Sequence, residues 1–90
     1  MSKQLFIIHL ANETPNQFIN LLSEYIQNWR EVNNLLSQSL EHVHPFVELV
    51  LIPNDDNGKL SKVYVPSHYI LAILDIGEDK LPPGFREGGQ

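Results

Sequence analysis

A chain of 90 residues with 42% hydrophobic side chains has material for one core, which excludes both a two-domain protein and a wholly disordered one. Its net charge of −5, with six Lys or Arg scattered from Lys3 to Arg86 against eleven Asp or Glu, argues against a basic face for nucleic acid or anionic lipid and favours a protein partner. The absence of cysteine excludes disulfides, thiolate nucleophiles and cysteine-based zinc or iron–sulfur sites.

Gln4 to Leu10 is a short apolar run with β-branched and aromatic members, closed by Asn12, Glu13 and Thr14. It reads as a strand buried on both faces, and so as a central one. Thr14-Pro15-Asn16-Gln17 then has the pattern of a capping box: Thr14 as N-cap, proline at the first helical position and Gln17 at the third. Phe18, Leu21, Leu22, Tyr25, Ile26 and Trp29 follow at the spacing of one helical face. Phe18, Leu22, Tyr25, Trp29, Val32, Leu36, Leu40 and Val43 keep nearly one angular position, which predicts one long amphipathic helix from Pro15 to about Val43. A break near Asn33-Asn34 and the segment 37–39 is the alternative, since those residues are poor helix formers. Pro45 ends the helix in either case.

Phe46 to Ile52 is read as a strand, Pro53 to Gly58 as a turn and Lys59 to Val65 as the returning strand, giving a β-hairpin over 46–65. Pro66 interrupts, Ser67 to Tyr69 forms a corner, and Ile70 to Ile76 is read as a last strand for its isoleucine content, with a short helix capped by Ser67 as the alternative. The expected fold is therefore α+β in the order β-α-β-β-β: a small antiparallel-rich sheet packed on one long helix, over residues 1–77. Residues 78–90, with two prolines and three glycines, are expected to be a mobile or extended tail, with Leu81-Pro82-Pro83-Gly84-Phe85 as a weak candidate docking motif.

The run Val63-Tyr64-Val65-Pro66-Ser67-His68-Tyr69-Ile70-Leu71-Ala72-Ile73 resembles the closing strand, proline and next element of several small β-rich domains. Among them is the stringent-starvation adaptor family, which delivers tagged substrates to a protease. The resemblance spans 11 of the 90 residues, is mostly apolar and assigns no site residue.

Chemistry-bearing patterns are few. His42 and His44 share a face if extended, and His9 and His68 would complete a zinc-type ligand set. Ligation by these four is the alternative functional reading; at a helix-to-strand junction His42 and His44 also serve as caps for carbonyl groups. Asp55-Asp56-Asn57-Gly58 resembles part of a calcium loop but lacks its first Asp and its distal Glu, and reads as a solvated turn. Ser67-His68 lacks an orienting base and an oxyanion site. No glycine-rich phosphate loop is present, and carboxylate pairs such as Glu24 with Glu48 or Glu41 with Asp75 depend on the fold. No cofactor is expected. The predicted function is a non-catalytic interaction or regulatory module, homodimeric through the surplus apolar stripe Trp29, Val32, Leu36 and Leu40. Met1 to His9 lacks the apolar length and cleavage site of a signal peptide, and no apolar stretch approaches the ~20 residues of a membrane span, so the expected location is the cytoplasm.

Overall fold

The computed structural model describes residues 4–55 and 58–77. In chain order these form strand β1 (Leu5–Leu10), helix α1 (Asn16–Leu21), strands β2 (Ile26–Trp29), β3 (Val32–Val43), β4 (Phe46–Leu51) and β5 (Ser61–Pro66), a 3-10 turn at Ser67–Tyr69, and strand β6 (Ile70–Gly77). All six strands join one antiparallel sheet in the order β5-β4-β3-β1-β6, with β2 paired to β3 off that path. The tail expected over 78–90, and Asp56 and Asn57 of the turn after β4, lie outside the described residues.

The long helix is overturned. The described residues are mostly antiparallel sheet, with no helix of seven or more residues among them, and the segment expected to continue the helix is the hairpin β2–β3. Its turn is Arg30-Glu31, both with positive φ, 56° and 63°. Two left-handed residues are what a two-residue hairpin turn requires, but they are ordinarily Asn or Gly, so the turn carries no sequence signal. Nor does Asn33-Asn34 break a helix; it lies inside β3.

The helical periodicity arises from a strand that changes phase. Ser37 pairs with Leu51 and Leu40 with Leu49, so residues 38 and 39 stand opposite Val50 alone, which is a β-bulge. Leu36 packs in one buried cluster and Leu40 against the other, on opposite faces of the sheet. The i, i+4 spacing that reads as one helical stripe is thus two faces of a bulged strand.

The capping box does not form either. Pro15 is the N-cap, without a side-chain cap bond. Its carbonyl accepts from the amides of Phe18 and Ile19, while the buried Thr14 hydroxyl donates to Tyr69 O at 3.4 Å. The six-residue helix still lays Phe18 and Ile19 on the sheet, and with Tyr25 of the turn that follows they pack against the main cluster of Ile8, Leu10, Leu22, Leu35, Val47, Leu49, Leu51 and Val65. Phe18 meets Tyr69 edge-on, ring centroids 5.0 Å apart. A second cluster, Leu5, Ile7, Trp29, Leu36 and Ile52, forms on the other face. Central β1, between β3 and β6, serves both, which is why its sequence is a nearly unbroken apolar run. The connection from β4 to β5 is pinned to the helix exit: Asn54 N donates to Glu24 O, Asn54 Nδ2 to Ile26 O and Tyr25 Oη to Lys59 O.

Candidate interaction surface

The stripe Trp29, Val32, Leu36 and Leu40 is not an exposed face. Leu36 is fully buried and Trp29 nearly so, and Val32 and Leu40 are half-buried. With the helix gone, the dimer contact expected along it is gone too. Trp29 stacks on His9, with ring centroids 5.8 Å apart and planes 12° from parallel, and takes the Arg30 guanidinium over its ring at 4.5 Å.

The four histidines stay on separate elements. His9 pairs with Asn34 and Ala72 in mid-sheet, His42 stands opposite Val47, His44 is in the β3–β4 turn before a cis Pro45, and His68 is in the 3-10 turn, against Tyr69. Among the described residues no group of three His, Asp or Glu is placed to hold a metal ion. His9 Nδ1 and Asn34 Oδ1 are buried without a hydrogen-bond partner. Asn34 spends its other end on backbone: Nδ2 reaches the carbonyls of Val32, Trp29 and Gln27 at 2.7, 3.2 and 3.4 Å. The Ser67 hydroxyl donates to Pro45 O at 3.1 Å, not to a base.

The sheet instead assembles a surface from residues far apart in the chain. The β3–β4 turn sets Val43 opposite Phe46, and β4 sets Phe46 opposite Pro66. One step along the same face, Glu41 stands opposite Glu48 and Glu48 opposite Tyr64. The alternation of β4 turns Val47, Leu49 and Leu51 into the core and leaves Phe46, Glu48 and Val50 on the outer face. Phe46 and Tyr64 remain 41% and 51% exposed, and Val43 42%.

The charges on this face are unbalanced. Two carboxylates directly opposite on neighbouring strands repel. Tyr64 Oη donates to Glu48 Oε2 at 2.8 Å, and that bond, then the Glu48 charge, a desolvation contribution and the Glu41 charge raise the Tyr64 pKa above 10.0. Lys62 Nζ is 4.0 Å from Glu48 Oε1 on an exposed stem, a pairing worth little in water.

In the sequence Phe46 and Tyr64 read as strand residues, and Glu48 is paired only with Glu24 as a carboxylate couple dependent on the fold. One signal points to their neighbourhood: the short turn at His44-Pro45 makes Val43 and Phe46 cross-strand neighbours. It becomes usable only once 32–43 is known to be a strand.

Fold and surface together define a small antiparallel β domain with an acidic, partly apolar outer face. Comparison with family models, with curated proteins and with solved structures finds no match. The resemblance of residues 63–73 to the adaptor family therefore has no family match behind it. Among the described residues no helix is long and apolar enough to cross a membrane.

Proposed function

We propose that this chain is a small non-catalytic interaction module that binds another protein through the outer face of β3, β4 and β5. The partner presents an apolar side chain to Val43 and Phe46 and a Lys or Arg to Glu41 and Glu48. The observation that carries this reading is the exposed Val43–Phe46 pair beside the opposed carboxylates of Glu41 and Glu48. A like-charge cross-strand pair costs stability, and a cation arriving there removes the cost as it binds. Self-association through this face is disfavoured, because it would bring the Glu41 and Glu48 carboxylates of two copies together. Ligand binding by the histidines has weaker support, since His9, His42, His44 and His68 stay on separate elements. The cysteine-free composition, compatible with a reducing compartment, supports placing the module in the cytoplasm.

The test compares capture from the source lysate by the wild-type protein, by Phe46→Glu and by Leu60→Glu, which alters an exposed leucine before β5. A partner retained by wild type and Leu60→Glu, released by salt and lost with Phe46→Glu supports the reading. Equal capture by both variants, or none by any, overturns it.

A further inference from the structure

The chain leaves the described sheet at the end of β6, and strand pairing fixes its direction there. β6 runs antiparallel to β1, and β1 antiparallel to β3, so β6 ends toward the same end of the sheet as the β3–β4 turn. Gly77 stands level with Leu5, one residue from the Phe6–Ser37 pair, and Val43 lies further along β3 in the same direction. The two sites also share a face. Ile76 packs on the cluster of Leu5, Ile7, Trp29, Leu36 and Ile52, and β4 turns Val47, Leu49 and Leu51 to the opposite cluster while Phe46 and Glu48 stay on this side. With ~4.8 Å between strands and ~3.3 Å per residue along them, the Val43–Phe46 pair is about 20 Å from Gly77. The eight residues from Gly77 to Phe85 span up to about 26 Å when extended. Gly77 itself has a φ of 72°, a conformation that turns the chain out of the strand.

The sequence that follows carries the chemistry this face calls for. Lys80-Leu81-Pro82-Pro83-Gly84-Phe85-Arg86 joins two apolar side chains to two cations and holds no acid, between Glu78-Asp79 and Glu87. Leu81 and Phe85 suit the exposed Val43 and Phe46, and Lys80 and Arg86 suit the opposed carboxylates of Glu41 and Glu48. Pro82-Pro83 favour an extended segment, which lowers the ordering cost of docking. We propose that residues 80–86 dock on the outer face of β3, β4 and β5 of the same chain, with Phe85 against Val43 and Phe46 and Arg86 against Glu41 and Glu48, so that a protein partner must displace them. This contact rests on the reading of that face as a docking surface and adds its regulation. A short tether holds the segment at roughly millimolar effective concentration, so a contact too weak to form between separate molecules is populated within one chain.

The cysteine-free chain accepts a single spin label through Gln90→Cys. In dilute full-length protein the label should broaden the amide signals of Val43, Phe46 and Glu48 and leave those of α1, on the opposite face, sharp. Adding Phe85→Ser and Arg86→Glu to the labelled chain should abolish that broadening. Broadening spread evenly over both faces, or unchanged by the two substitutions, overturns the proposal. So does broadening that appears on isotope-labelled chains mixed with spin-labelled ones, which would place the segment on a second copy. The readout needs no partner, so a failed contact is told apart from a failed face. Capture that depends on Phe46 without local broadening sinks the intrachain contact alone. Local broadening without capture supports the contact and removes the partner.

Discussion

Ser37 Oγ takes the amide protons of both Ser39 and Val50, at 3.3 and 3.1 Å, across the bulge of β3. The same hydroxyl has the carbonyls of Ser39 and Val50 within reach for its own proton. One fully buried side chain thus replaces the ladder bonds that the extra residue removes. Ser37→Ala leaves buried amides unsatisfied and should destabilise the fold by about 1–3 kcal/mol. Urea unfolding should show a lower midpoint at an unchanged slope. A loss under about 0.5 kcal/mol would mean that water replaces the hydroxyl at no net cost.

The β1 run, the hairpin of β4 with β5 and the corner after Pro66 were legible because each signal is local: an apolar run, a proline, a turn-rich segment between two strands. Ile70 to Ile76 fitted a strand or a short capped helix, and its pairing with β1 decides for the strand. The β2–β3 hairpin was not legible. Its turn residues, Arg30 and Glu31, adopt a conformation that their side chains do not favour, and its bulge depends on contacts with β4. Apolar residues spaced by three and four also fit a strand whose faces exchange midway, and tertiary pairing decides between the two. The outer face of β3, β4 and β5 was hidden for the same reason, since Glu41, Glu48 and Tyr64 become neighbours only after that pairing. Leu36 shows the consequence: a residue assigned to partner contact is among the most deeply buried in the protein.

The strain at the β2–β3 turn can be relieved by sequence. Glu31 holds φ at 63°, a conformation that costs a residue with a Cβ about 1–2 kcal/mol and glycine almost nothing. Part of that gain is lost to the greater freedom of glycine in the unfolded chain. Glu31→Gly should therefore raise stability by up to about 1 kcal/mol, and Glu31→Ala should not. Arg30 is left in place because its guanidinium lies over Trp29. A pair of thermal melts decides it: a Glu31→Gly chain that melts below Glu31→Ala would show that the Glu31 side chain itself stabilises the turn.

Tyr64 offers a direct reading of the charge on the outer face. Its phenol titrates above 10.0, first because it donates to Glu48 and then because the Glu48 and Glu41 charges oppose a phenolate. A pKa raised by folding contributes stability that is present below the unfolded value and lost as pH rises through the folded one. Wild type should therefore lose stability relative to Tyr64→Phe only in alkaline solution above about pH 10. Ultraviolet titration of wild type minus Tyr64→Phe isolates this phenol from Tyr25 and Tyr69. Its midpoint should fall in Glu48→Gln, fall less in Glu41→Gln, and move toward the ordinary value as salt screens both carboxylates. A midpoint unmoved by Glu48→Gln would break the link between Tyr64 and Glu48, and with it the account of this face as an acidic surface organised across three strands.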